Sequence, residues 1–483
     1  MSTLRGQTTS RKLLIWLIIP LVMGLALLLG STASTRWLIF LLAGIGAFAL
    51  LNRPLLGLLT LLVAALLINW QVGTGTAVNL NLAALLLPVL LSLWFLDMVR
   101  RRDIRLVLSP TYLPLLLFLL ASLFSLLVGI VTWDPLIPRS NNFLLVQLAQ
   151  WAIFALSAGS FLLSANLIRD EDDLHLLTLG FLVIVGIVVI LQWLPGFDNL
   201  INRFVTVAFI RAPLWALVAA LAGGQLLYNR NLSLPWRVFL ITMIGYVFYY
   251  SFFLNRESSS TWIGVGAAFG VLVWLRYPRM RWLVILVVAG TTIAGILFPA
   301  VWNFAGGADA WFETGGSRIA LTQRVLEVTM RNPITGLGPA AYRPYANATP
   351  LQYEHVIWNQ PSVSSHNNFV DLFAHGGILG LILFAWFCWE VYRLGMRLHR
   401  RFATGFVAGY VNAMLAMGAA SLVLMLFADW ILPFVYNIGF PGFQASVLVW
   451  LFMGGLVAID QFTPMEQKPD KLIQLSMNNS TNP

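Results

Sequence analysis

Apolar runs of about 20 residues recur from one end of this 483-residue chain to the other, most of them joined by short connectors. As a helix, a run of that length covers about 30 Å, the thickness of a bilayer's hydrocarbon core. Lipid offers backbone groups no hydrogen-bond partners, so a chain built from such runs must satisfy its backbone internally and folds as packed helices. Charged residues make up only 10% of the chain, where a soluble domain carries about 25%. The expected class is an all-α polytopic membrane protein of about 14 transmembrane helices. The expected spans are 13–29, 37–51, 54–70, 80–98, 111–132, 143–166, 174–194, 211–228, 236–254, 259–275, 281–300, 367–392, 404–432 and 441–459. The first lacks a convincing small-x-small cleavage site and is followed by further spans, so it is expected to be retained.

Basic residues set the orientation. With the N-terminus in the cytoplasm, 20 of the 29 Lys+Arg fall in cytoplasmic connectors and ends, as the positive-inside rule requires. The remainder are all arginines: Arg36, Arg139, Arg203, Arg211, Arg256, Arg318, Arg324, Arg331 and Arg343. An outer face that keeps arginine against the rule points to an anionic partner, since the planar guanidinium grips phosphate in a bidentate way that lysine does not. The competing explanation is surface ion pairing with acids such as Glu327. The net charge of +10 is mostly this topology signal and does not argue for nucleic acid.

The organisation expected is spans over 1–300, one large outer loop over 301–366, further spans over 367–461 and a polar cytoplasmic tail over 462–483. The loop is the place for chemistry. Ser317 can cap a helix whose first turn holds Arg318, and the amides of a helix start favour anions. Asn332-Pro333 ends that helix, and Gly336-Leu337-Gly338-Pro339 forms a turn. Arg324 and Arg331 share a face with Glu327 between them, the pattern of a solvated charge ladder. With one cysteine, Cys388, inside a span, no disulfide can order the loop, so it must dock on the membrane helices. His366 stands where the loop meets the next span and suits proton transfer near neutral pH. His375, inside that span, suits packing or a helix–helix hydrogen bond, and Gly376, Gly377 and Gly380 allow close contact. The acidic run Asp170–Asp173 suits a helix cap. No metal-ligand cluster, P-loop or dinucleotide fingerprint is present, and no cofactor is expected. Nucleotides are not at hand on the outer face, so a substrate there must arrive already activated, as a lipid-linked one would.

The runs Ser-Arg-x-Ala-Leu-Thr-Gln-Arg (317–324), Asn-Pro-Ile-Thr-Gly-Leu-Gly-Pro-Ala-Ala-Tyr (332–342) and His-Asn-Asn-Phe-x-Asp-Leu-Phe-Ala-His-Gly-Gly-Ile-Leu-Gly-Leu (366–381) resemble the signature of the O-antigen ligase and O-antigen polymerase superfamily. The resemblance covers about residues 200–392. It implies a GT-C-type glycosyltransferase of the bacterial cytoplasmic membrane. Such an enzyme passes a glycan from undecaprenyl diphosphate to an acceptor sugar, lipid core or protein at the periplasmic face, without metal. It also implies that Arg211 and Arg318 bind the diphosphate and that His366 is catalytic. Arg256, Arg324 and Asn367 are further candidates for substrate binding. The chain departs from the pattern at Ser258-Ser259-Ser260-Thr261-Trp262, which lacks the usual arginine although Arg256 is near. It departs again at Gln323-Arg324, where the loop helix lacks its tryptophan.

These residue types fit the chemistry. Breaking the C1–diphosphate bond builds negative charge that fixed arginines stabilise, while a histidine takes the acceptor's proton. A single displacement inverts the anomeric centre. The competing reading is a multi-pass transporter, which would place charges at mid-membrane and break its helices there.

Overall fold

A computed structural model of the chain describes residues 53–75, 78–102, 106–197, 201, 203–255, 258–297, 317–348, 351–353, 356–358 and 365–462. The spans expected at 13–29 and 37–51, the first part of the loop and the tail after 462 lie outside these residues. So does Arg256.

Each remaining expected span contains a helix. These are α1 (Pro54–Leu67), α2 (Leu82–Arg101), α3 (Tyr112–Val131), α4 (Phe143–Leu167), α5 (Glu171–Trp193), α6 (Ala212–Tyr228), α7 (Leu234–Tyr249, extended by a π-turn to Leu254), α8 (Ser259–Arg276) and α9 (Arg281–Leu297). The loop contributes α10 (Ser317–Thr329) and α11 (Tyr342–Ala348), and α12 (Asn368–Arg401), α13 (Phe406–Phe427) and α14 (Gly439–Phe462) follow it. Two short hairpins, β1 (Gln71–Gly73) with β2 (Asn79–Asn81) and β3 (Leu351–Tyr353) with β4 (Val356–Trp358), and two 3-10 turns (Val207–Ile210 and Pro278–Met280) are also described. Among the described residues, 8 helices are long and apolar enough to cross a membrane. Three shorter apolar helices lie over 55–67, 212–228 and 260–276.

Local chemistry accounts for the helix ends. Asp170 accepts from the Asp173 amide at 2.8 Å and caps α5 as expected, with Glu171, Asp172 and Asp173 in the first turn where the helix dipole favours acids. Asn81 caps α2 by accepting from Ala84 N at 2.9 Å. Arg100 and Arg101 occupy the last turn of α2, and Arg102 closes it in a left-handed conformation, φ 52°. Proline stands in the first turn of α6 and α7, where its missing N–H costs nothing.

The apolar length of α14 is wholly enclosed, so this helix is the central post. It packs along α4, while α6 packs against α13 and α8, and α12 lies between α3 and α13. Close approach of α6 to α13 rests on small residues: a Cβ on Gly224 would strike the Gly409 carbonyl and Ala413. Packing of small residues replaces the hydrophobic drive that lipid does not supply.

One boundary differs from expectation. The span expected over 404–432 ends as a helix at Phe427, and Ala428 to Ile438 form a connector to α14. Past the stop, the Asp429 side chain reaches forward to accept from the Phe434 amide at 2.7 Å, a bond that folds the connector on itself.

Candidate active site

The large loop docks by completing a broken helix. α12 departs from helical geometry at Gly377 (φ 63°, ψ −163°), a conformation that suits glycine. The break leaves amides of α12 without their own carbonyls, and the loop supplies replacements. Ile378 N–H donates to Pro333 O at 2.9 Å, Leu379 N–H to Ile334 O at 3.1 Å, and Leu337 N–H to Ala374 O at 2.9 Å. Gly336 (φ 76°) meets Gly376 and Gly377 backbone to backbone. His375 is buried, as expected for a packing residue: its Nδ1 accepts from the Ala340 amide at 3.0 Å. Its ring lies 5.9 Å from that of Phe154 and 5.3 Å from that of Phe434. The sequence reading that the loop is ordered by docking therefore has a specific basis.

Beneath this loop the end of α3, the starts of α4, α6, α12 and α14, and the end of α13 converge. The Ala428–Ile438 connector is sewn into the middle of them. Gln150 on α4 donates to Pro433 O at 3.1 Å and accepts from Val435 N at 2.7 Å. Asn368 donates to Leu432 O at 2.8 Å and accepts from Ile431 and Leu432 amides at 3.2 Å. Trp450 donates to Ile431 O at 3.2 Å.

Arg211 and His366 both reach this connector. Arg211 stands at the N-cap of α6, behind a 3-10 turn (Val207–Ile210). Its guanidinium carbon lies 5.6 Å from the centre of the Trp430 ring, a cation–π distance. Its Nε is buried with no hydrogen-bond partner among the described residues. Burial lowers the Arg211 pKa, and the charge of Asp429 opposes that shift. Burial pushes the Asp429 carboxyl up to about 6, against the pull of its hydrogen bonds from Phe434 and Asn437 and of the Arg211 charge. Asp429 accepts from Asn437 Nδ2 at 2.6 Å, and the same nitrogen stands 3.4 Å from His366 Nδ1. Asp429 thus aims the Asn437 amide at His366 Nδ1, which can accept from it in the neutral ring. The neighbours of His366 are also fixed. Ser365 Oγ donates to Asp371 at 2.7 Å, and Asn367 caps α12 by accepting from Phe369 N at 2.9 Å and Val370 N at 3.3 Å. His366 itself sits at φ 53°, an uncommon conformation for a residue other than glycine.

The other arginines divide. Arg318 lies in the first turn of α10, with its side chain outside the described set. Arg324 pairs with Glu327 at 3.5 Å, as the ladder expectation has it, yet its side chain is only 21% exposed against 67% for the glutamate. It faces inward, where its charge acts on Tyr342. Arg331 leaves the ladder: it pairs with Asp134 at 2.5 Å and lies over Tyr345. Arg343 stacks on Tyr436, 3.8 Å from the ring centre. Burial pushes the Tyr342 phenol up to about 12, opposed by Arg324 and reinforced by Asp371 and Glu327.

Asp429, Trp430 and Asn437 were not among the candidates from sequence. An aspartate and a tryptophan interrupting the end of an apolar run, with Pro433 just beyond, were the available signal. Asn437 carried none.

Residues 244–385 match the family model described as O-antigen ligase. No curated protein matches the chain. The matched stretch runs from α7 into α12, so it contains the docked loop, the Gly377 break and His366. Over that stretch the chain is similar to the O-antigen ligase family, in agreement with the motifs read from the sequence.

Proposed function

We propose that the protein is an inverting membrane glycosyltransferase that moves a glycan from undecaprenyl diphosphate to an acceptor hydroxyl, as an O-antigen ligase or a surface-polysaccharide polymerase. The observation that carries this reading is the meeting of Arg211 and His366, distant in sequence, around the single carboxylate of Asp429. Arg211, stacked on Trp430, holds the diphosphate, with Arg318 from the loop helix as its partner. Asp429 keeps Arg211 charged in its buried setting without consuming the guanidinium fork, because its oxygens already accept from Phe434 and Asn437. As the C1–oxygen bond breaks, the leaving diphosphate gains charge against this preorganised cation, so no metal is needed. His366 takes the acceptor's proton at Nδ1. The 3.4 Å contact to Asn437 is longer than a good hydrogen bond and gives way to the incoming hydroxyl. The loop lies on the outer face of the cytoplasmic membrane, and both chain ends lie inside.

A transporter reading is weaker. The break in α12 is filled by carbonyls of Pro333 and Ile334 and sits beside the loop, whereas a transporter's broken helix lines a cavity at mid-membrane.

Deleting the gene and profiling lipid-linked and surface glycans tests the activity. Long chains accumulating on the carrier identify a ligase, and single repeats a polymerase; unchanged profiles contradict the proposal. Orientation is tested by Asn347→Cys, which should react with an impermeant thiol reagent in spheroplasts. Protection there, with labelling of a cysteine placed in the C-terminal tail, would reverse it.

A further inference from the structure

A second set of buried polar atoms lies on the loop side of the site. Gln147 on α4 is fully buried, and neither its amide nitrogen nor its oxygen has a partner among the described residues. Tyr342 Oη and Asp371 Oδ2 are in the same condition, on residues 3% and 5% exposed. The three side chains come from α4, α11 and α12, and one apolar cluster draws residues from all three of these helices. It contains Tyr342 itself, Phe143 one helical turn from Gln147, and Ala374 one turn from Asp371. A Cβ on Gly338 would stand 3.5 Å from Gln147 Nε2, so the glutamine faces the turn that leads into Tyr342. Tyr342 and Asp371 are close enough for their charges to interact.

Burying donors and acceptors without partners is costly, and these lie beside the reacting centre. Their chemistry selects a ligand. A carboxamide, a phenol and a carboxyl group all donate or accept. Together they suit neutral hydroxyl groups, and none of them brings a positive charge to a diphosphate. We infer that Gln147, Tyr342 and Asp371 form a sugar subsite that grips ring hydroxyls next to the transferred bond and sets which sugar is used. The inference rests on the glycosyl-transfer reading above and divides its site in two: cationic around Arg211 for the diphosphate, hydroxyl-binding around Tyr342 for the ring. Neighbouring residues join the halves, since Ser365 donates to Asp371 while His366 faces Asn437.

The test uses the full chain in lipid nanodiscs and two probes: undecaprenyl diphosphate alone, and undecaprenyl diphosphate bearing the glycan extracted from producing cells. The variants are Gln147→Leu, Tyr342→Phe and Asp371→Asn. All three should bind the bare carrier as wild type does. If the ring held is the donor's, Kd for the glycan-bearing carrier rises about tenfold, the size of one lost hydrogen bond to a well-fitted hydroxyl. If it is the acceptor's, both carriers bind normally and the acceptor's KM rises about tenfold with kcat little changed. Gln147→Leu and Tyr342→Phe should melt at or above the wild-type temperature, because each removes an unsatisfied buried atom at similar volume. Lower melting temperatures with unmoved Kd and KM would make the residues structural and overturn the subsite. Equal loss of affinity for the bare carrier would assign them to the diphosphate and overturn it too. A wild-type protein that binds neither carrier refutes the transfer reading itself, whereas normal wild-type binding with unmoved variants refutes the subsite alone.

Discussion

The two ends of the helix bundle differ in how many polar groups they bury without partners. At the end away from the loop, several charges are exposed and paired, although Tyr228 Oη and Arg276 Nε, stacked on one another, are buried there without hydrogen-bond partners among the described residues. Arg397 meets Asp460 at 2.6 Å, Arg100 and Arg101 both reach Asp97 at 2.7 Å, and His399 shares a 2.7 Å hydrogen bond with Asn412. At the loop end, Arg211 Nε, Trp430 Nε1, Tyr342 Oη and Asp371 Oδ2 are buried and have no hydrogen-bond partner among the described residues. An exposed ion pair contributes about 0–1 kcal/mol, whereas one buried unsatisfied group costs about 1–3 kcal/mol. The first end is arranged for anchoring. The second gathers more of the buried unsatisfied groups, at a cost that a ligand or ordered water offsets, and it gathers them next to His366.

The sharpest way to break the comparison is at Arg211. Arg211→Ala should lower turnover about 10²–10³-fold, the range for removing one preorganised donor from a developing anion. It also strips Asp429 of its counter-charge, so some of the loss would come through stability. Arg211→Lys separates the two effects: it keeps the charge and should restore melting behaviour, but recover little turnover, because an ammonium lacks the bidentate fork. Full activity in Arg211→Lys, measured as transfer from the lipid-linked donor, would remove the diphosphate role.

A smaller effect is expected at Asp429, and it has a pH signature. The folded carboxyl, pushed up to about 6, binds its proton more tightly than an unfolded aspartate near 3.9. Its contribution therefore favours the fold fully below about pH 4 and is lost as pH rises through about 6. Activity should run the other way, falling below about pH 6 as the carboxylate that supports Arg211 and Asn437 is neutralised. Melting and turnover profiles from pH 4 to 8 should cross in this manner, and Asp429→Asn should flatten the melting profile. Profiles that rise and fall together would remove Asp429 from the centre of the site.

The smallest effects belong to the exposed pairs. Arg397→Ala and Arg331→Ala, which break the Asp460 and Asp134 pairs, should each leave turnover within about twofold of wild type, as surface ion pairs contribute little. A loss at Arg397 as large as that at Arg211 would erase the contrast between the ends.

Much of this was legible in the sequence, for physical reasons. Span-length apolar runs became helices because lipid leaves the backbone no alternative. Gly336, Gly338 and Gly377 announced a turn and a close contact, and they supply positive φ where the loop enters the break in α12. The cap of α5 at Asp170 followed from short-range chemistry. What stayed hidden depends on tertiary contact. Asp429 and Trp430 sit at the end of an apolar run and were absorbed into the span over 404–432, since hydropathy averages one aspartate away. Tyr342 belonged to a recognised stretch, but its burial against α12 gives it chemical meaning only in the folded chain. Arg324 looked like a solvated ladder residue because periodicity locates a face and not its depth. Arg211 and His366 were singled out by resemblance, and their convergence on Asp429 could be seen only in three dimensions.

The central claim is that one end of the bundle separates binding of the diphosphate from handling of the proton. Its most direct test measures both quantities in one variant, purified His366→Ala in nanodiscs. The account predicts that undecaprenyl diphosphate still binds with wild-type affinity, because Arg211 and Trp430 are intact, while turnover falls about 10²–10⁴-fold, the usual worth of a general base. Near-normal turnover in that variant would contradict the account and remove His366 from the reaction.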